Sequence, residues 1–505
     1  MTRQSPNASM RIKPLRTSLV LLGLFLSLAA CGPAAPGPQA GGGIGGTGSV
    51  ATVSSGPVTK FGSVFVSGTE YDNTNALYCI DREPCSSENR VKLGMIVLIN
   101  GTRTTSAGTT QPPTRIADKI IYEETVEGAV QAVSPDGLSL VVLGQVVSVN
   151  QKTEIDLSLQ GAAPHTLNPT AVLNTVVEIS GFVTGDGTIL ATLIQPHTGI
   201  PHYEIEGIVK NHTPSANTFE IGELVVDYSL ADISSMPALA NQLQTWDGLV
   251  VFANGDRWSP GGPGPYGARM IATNVKPRYL GVSNSDDTEV EDFVTRVDGP
   301  GDFYLNNVHV RVSAGATFEG GSLGNIMAGT HLDVHGSLIG GVLNATKVAF
   351  EGETELQGNV AALNSTDNSL TLAGLPGLTI LFDRNTDLHG EGDPRSLLNL
   401  RNGDHLHLHG TVLNNTAILA TEVERTSPSS AVQVRGRITS AAAPWVVLLG
   451  SAIDTSNIPE SGFSGPNGAT GRSSFFSGLS SGKTVALRGT TLNTTVTWTS
   501  ARRDN

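Results

Sequence analysis

The chain has 505 residues, three cysteines and a formal net charge of −14 at neutral pH. That excess of acid keeps it in solution and argues against nucleic acid or another polyanion as a partner.

Arg3, Arg11, Lys13 and Arg16 precede the apolar run "LVLLGLFLSLAA", Leu19 to Ala30. Basic residues followed by a short apolar run are the pattern of an export signal, and twelve residues are too few to span a bilayer as a helix. The run ends in "LAAC", Leu28 to Cys31, which has the form of a bacterial lipobox. Residues 1–30 are therefore expected to be removed and Cys31 to carry lipid, whose acyl chains anchor the protein to a membrane. Gly32, standing where an aspartate would retain the chain, favours the outer membrane of a Gram-negative cell envelope.

Residues 31–55 are rich in glycine, alanine, proline and serine and read as a tether. "GIGGTG", Gly43 to Gly48, matches a dinucleotide fingerprint, but the pattern needs a strand before it and a helix after it. In an exported protein Cys79 and Cys85, in "YCIDREPCS", are expected to form a disulfide. Two thiolates alone make a poor zinc site.

A repeated segment organises the remainder. Read as glycine, six residues, glycine, it occurs as "GMIVLING" at Gly94, "GLVVFANG" at Gly248, "GTHLDVHG" at Gly329, "GDHLHLHG" at Gly403 and "GKTVALRG" at Gly482, with "NTVVEISG" at Asn174 as a variant. Glycine and asparagine tolerate positive φ, so the first position reads as a turn and the last as the start of a hairpin. A second marker carries alanines at Ala117, Ala191, Ala272, Ala345 and Ala420, in steps of 74, 81, 73 and 75 residues. A third, "VEGAV" at Val126, recurs as "IEGIV" at Ile205, "VEDFV" at Val290, "LQGNV" at Leu356 and "VRGRI" at Val434.

Six modules follow: 56–125, 126–200, 201–283, 284–353, 354–430 and 431–505, the last degenerate because it lacks a clear Ala-Thr strand. Each reads as five short strands, with Asp136-Gly137 and Asp186-Gly187 among the turns. Three strands, an irregular crossing and a final hairpin are the order of a small OB-type barrel, with a sandwich as the alternative. The predicted fold is thus all-β, a tandem array of about six five-stranded OB-like barrels. Barrels of this size bury only about 60% of their unfolded surface, so neighbours are expected to stack in a beaded or curved rod.

The chain resembles predicted bacterial lipoproteins built from tandem OB-like domains of unknown function. The resemblance rests on "GGGIGGTG" at Gly41, "FGSVFVSGTEYD" at Phe61, "LGMIVLING" at Leu93, "VEGAV" at Val126, "VVLGQVVSV" at Val141 and "VDYSLA" at Val226. It implies no established activity, so no catalytic residue is carried over.

Three groups of residues invite a functional reading. His405, His407 and His409 alternate along one strand, where positions two apart lie about 6.8 Å from each other. A zinc or copper ion could take two of them plus a ligand such as Glu422, but superposed modules put Glu178 and Ser180, or His331, Asp333 and His335, in the same row. The row therefore reads first as a solvated face and second as a divalent-metal site. "GLSSGKT", Gly478 to Thr484, matches G-x-S-x-G around Ser480, but a nucleophile elbow needs a strand before and a helix after.

Hairpin lengths point elsewhere. From the segment's last glycine to the alanine takes 10, 9 and 10 residues in modules two, four and five, but 16 in module one and 17 in module three. The module-three loop offers Arg257, Trp258 and Tyr266, equipment for a glycan or a protein partner, or else rings packed on the next module. The sequence reading is a non-catalytic, lipid-anchored envelope protein that binds or supports a partner. Divalent-metal binding is the alternative and an envelope hydrolase the third.

Overall fold

A computed structural model describes residues 48–505, apart from 82, 106–113, 164, 200–201, 240–244, 262–267, 353, 376, 385, 395, 415, 466–467, 493–494 and 504–505. The lipobox and Cys31 lie outside these residues. Thr47–Asn505 form one compact unit, whose regular structure is nearly all strand.

Module two gives the topology. Val126–Val133 pairs with Ser139–Val142, which pairs with Gln145–Ser148, all antiparallel. The third strand runs parallel to Ile189–Pro196, which pairs with Val176–Val183, and that strand returns to the first. The closed order 1-2-3-5-4-1 is that of an OB barrel. Modules four and five close in the same way.

The repeated segment is strand four, and its two end residues do different work. The first takes positive φ in every module, from 64° at Asn174 to 93° at Gly403. The last does not start a hairpin as expected. In five modules it sits inside the strand at a bulge, seen as register breaks at Asn100/Gly101, Ser180/Gly181, His335/Gly336, His409/Gly410 and Arg488/Gly489, and in module three Gly255 ends the strand Val250–Gly255. There the facing backbone comes so close that an added Cβ at Gly101, Gly255 or Gly336 would stand 2.1–2.2 Å from a carbonyl oxygen. Such an approach leaves room for glycine alone. All five marker alanines are buried, four of them facing the bulge glycine directly. In module six Trp498 takes that place opposite Gly489 on a full last strand, Thr495–Arg503, which is why no Ala-Thr pattern was legible there.

The modules do not follow one another along a rod. Their opening strands join them in pairs. Thr52–Ser55 of module one runs parallel to Asp287–Val290 of module four. Val126 of module two pairs with Ile205 of module three, and Leu356 of module five with Val434 of module six. Long opening strands leave unpaired backbone at the barrel rim, and another opening strand supplies the missing hydrogen bonds. Residues 48–55, expected in the tether, are the first part of module one's opening strand, Gly48–Lys60. Further contacts cross between pairs. The backbone N–H of Ile96 donates to Ser180 Oγ at 2.8 Å, and the buried Arg502 donates to the carbonyl of Leu138 at 2.9 Å.

Candidate functional site

Each opening strand carries a buried aliphatic residue flanked by polar ones, and strand four beside it carries the outward row. Because the opening strands are interfaces, this polar layer lies between modules. His405, His407 and His409 are 2%, 4% and 6% exposed, and Glu289, Glu355, Asp333 and Arg435 are also buried. The solvated face expected of the histidine row is therefore corrected: the barrel's outside is the assembly's inside.

In module five the layer is a closed network. His407 Nε2 donates to Glu355 Oε1 at 3.0 Å, Gln433 Nε2 donates to the same oxygen at 2.6 Å, and Arg488 Nε donates to Gln433 Oε1 at 2.7 Å. Burial alone would raise Glu355, but the hydrogen bond from His407 and the charges of His407, His409 and Arg435 hold it at about 2. Burial drives His409 down to about 4, so it is neutral at pH 7. His405 Nδ1 meets Asn359 Oδ1 at 2.6 Å. The three histidines are thus engaged by protein partners or desolvated, and their donors do not gather into a three-ligand set.

Module four differs. Among the described residues, the metal-type cluster of three is Glu289, Asp333 and His335, whose ligand atoms lie within 4.8 Å of one another. Glu289 stands directly opposite His335 across the ladder, and Asp333 is two residues along the same strand. His335 Nε2 is 2.9 Å from Asp333 Oδ2 and 3.3 Å from Glu289 Oε1. Module one contributes hydroxyls only: Ser54 and Thr69 each donate to Glu289 at 3.1 Å, and Ser54 meets the Tyr71 hydroxyl at 2.6 Å. Burial, then the charge of Asp333, raises Glu289 to about 7. Burial opposes protonation of His335, but the hydrogen bond and charge of Asp333 and the charge of Glu289 outweigh it and raise its pKa. The sequence reading named Asp333 and His335 as outward polar residues and missed Glu289. The available signal was an acid three residues before the module-four glycine position, which Asp292 fills, facing the histidine row.

A cleft of about 810 Å³ opens where modules one, two, four and five meet. Glu154, Glu291, Glu319, Glu351, Asp383, Asp387 and Glu422 line it, with one lysine, Lys152, and the rings of His331 and His409. Lys152 Nζ lies 3.2 Å from Glu422 and 3.7 Å from Glu351. Burial and the neighbouring Glu351 raise Glu291 to about 8, so it stands as a neutral acid at pH 7. Glu319 is paired with Lys347 at 2.9 Å, so five carboxylates remain around one ammonium. The residues span four modules, so no local pattern could have grouped them.

The remaining candidates are separate. Arg257 is exposed on a short strand, Arg257–Ser259. Trp258 is half-buried against the core that modules two and three share, its ring 5.7 Å from Tyr203. Tyr266 lies outside the described residues. Cys79 and Cys85 form the expected disulfide. Ser480 is exposed, follows the helix Gly471–Ser477 and precedes the strand Thr484–Leu492, the reverse of the elbow's order.

This is a tandem array of OB-like barrels with a polar layer between them. Three stretches, residues 127–195, 293–349 and 357–424, match the model of a domain of unknown function, DUF5666. They fall in modules two, four and five, whose ladders close fully, consistent with that domain occurring in tandem. No curated protein matches the chain.

Proposed function

We propose that the chain is a non-catalytic envelope lipoprotein, held to a membrane through lipid on Cys31, four of whose modules frame a binding cleft for a cationic ligand. The observation that carries this reading is the 810 Å³ cleft with its excess of carboxylates over the single Lys152. Low-dielectric walls lined by one sign of charge focus the field and concentrate counter-charged ligands. The four modules that line the cleft are tied by strand pairing or by side chains, so the site is held open before a ligand arrives and little ordering is lost on binding. The setting of Ser480 supports the non-catalytic part.

Binding of spermidine, measured by calorimetry at low and high salt, tests the cleft. Saturable binding is expected, weakened by salt and by Glu422→Gln with Glu351→Gln. Retention of a neutral oligosaccharide in place of the amine would replace this reading with the glycan alternative. Incorporation of labelled fatty acid, lost in Cys31→Ser, tests the anchor.

A further inference from the structure

We propose that Glu289, Asp333 and His335 form a site for one divalent transition-metal ion, with zinc as the ion that suits the donors, separate from the cleft and from the histidine row of module five. The three groups supply one imidazole nitrogen and two carboxylates. Nitrogen and oxygen ligands about 2.0–2.2 Å from a tetrahedral zinc lie roughly 3.3 Å from each other. The distances of 2.9 and 3.3 Å from His335 Nε2 to the two carboxylates already approach that spacing, so an ion needs only small movements.

Two further features favour a ligand set over a plain ion pair. Asp333 Oδ1 is buried and makes no hydrogen bond, an uncommon cost in a folded protein and one that a coordinated cation removes. The Glu289 carboxylate accepts hydrogen bonds from Ser54 and Thr69, and such outer contacts fix the orientation of a ligating carboxylate. The His335 side chain, 27% exposed, opens the set to solvent, giving an entry path and a fourth position for water. Lys347 faces His335 across the ladder but is engaged by Glu319 at 2.9 Å. The counterpart row in module five cannot do the same, because His407 is spent on Glu355 and that carboxylate is shared with Gln433.

The test uses the purified chain without a polyhistidine tag, stripped with EDTA. Calorimetric titration with zinc chloride is expected to show one saturable site per chain. Affinity should fall about tenfold or more in Asp333→Asn and in His335→Ala, while His407→Asn binds as the parent does. Cobalt(II) titration should give the visible absorption of a tetrahedral site in the parent and not in Asp333→Asn. That isosteric variant keeps the readout interpretable if His335→Ala fails to fold, as judged by far-UV circular dichroism. A flat zinc titration of the parent, equal affinity in Asp333→Asn, or saturation by calcium but not zinc would each overturn the site and leave these residues as an interface ion pair.

Discussion

Modules four and five share histidines at two positions of the same strand, His331 with His405 and His335 with His409, and end with different chemistry. In module five the neighbouring opening strand belongs to module six and brings Gln433 and Arg435 opposite Gln357 and Glu355. In module four it belongs to module one and brings Thr52, Val53, Ser54 and Ser55 opposite Asp287 to Val290. Donors and a guanidinium close the first row into a network whose carboxylate sits at about 2. Hydroxyls alone cannot balance the second, so its acids rise to about 7 and 8 and one carboxylate oxygen stays unpaired. The character of a row is decided by what the paired strand contributes, not by the row itself.

The largest effect expected from this contrast is at Glu355. Glu355→Ala leaves His407 and Gln433 buried without their shared acceptor, and should cost about 3 kcal/mol in equilibrium denaturation. The pH dependence has a definite sign. Because the folded carboxyl titrates at about 2 rather than 4.5, its stabilisation is complete above pH 4.5 and drains away as pH falls towards 2. Glu355→Gln should lack that acid limb, and a variant that keeps it would remove the closed-network account of module five.

Next come the bulge glycines, which both rows share. Gly336→Ala would set a Cβ 2.1 Å from the Asn344 carbonyl oxygen, and Gly410→Ala 2.4 Å from Ile418 Cγ2. Each should cost about 2 kcal/mol, by forced backbone shift or overpacking. Gly324→Ala, with open space around it, should change stability by under about 0.5 kcal/mol. Equal losses at all three positions would mean that the bulge is not what requires glycine.

Acids raised by burial, as Glu289 and Glu291 are in module four, should behave oppositely to Glu355. Glu124 is the clearest case outside the metal-type cluster: burial and a carboxyl–carboxyl hydrogen bond with Asp81 raise it to about 11. A raised carboxyl stabilises the fold fully only below its unfolded pKa, near 4.5, and loses that contribution as pH climbs towards the folded value. Glu124→Gln, which cannot ionise, should therefore raise stability at pH 8 by about 1 kcal/mol or more, with the gain vanishing below pH 4.5. Thermal melts of parent and variant across that range would show whether the difference grows with pH; a constant offset would refute it.

Much of the fold was legible in these residues because backbone geometry restricts them locally. A glycine needed for positive φ, a glycine under a carbonyl and an alanine facing it recur at fixed spacing, and the same physics selects them in every copy. The disulfide was legible from two cysteines six residues apart behind an expected export signal. What escaped the reading depends on pairing over long separations. Nothing near Ser54 announces that it will lie beside Glu289, and alternation of His405, Leu406, His407 and Leu408 looks the same whether the polar face meets water or another module. Gly48 to Ser55 was hidden for a different reason, since its two valines, Val50 and Val53, stand three apart among small residues, so no period of two shows and the composition reads as a linker. The candidate metal set was half visible, because Asp333 and His335 share one strand while Glu289 joins them only through the ladder.

Among the interface residues, the smallest expected effect lies at the far end of the two rows. His331 stacks on Phe293 at 4.4 Å and meets Phe182 edge-on at 4.6 Å, whereas its counterpart His405 bonds Asn359 through Nδ1 and leaves Nε2 buried without a hydrogen bond. Replacing His405 by phenylalanine gives up one hydrogen bond to a half-buried amide that can turn to water, and also removes an unsatisfied nitrogen. These changes offset, since a net hydrogen bond and a stranded polar group are each worth about 1 kcal/mol. His405→Phe should therefore melt within a few degrees of the parent. At His331 the same substitution keeps a ring for Phe293 but deletes the contact with Glu291 at 3.4 Å, so it should be the costlier of the two. If His405→Phe instead destabilised as much as Glu355→Ala, the row of module five would have to be one indivisible unit, and the distinction between a closed centre and a tolerant end would fall.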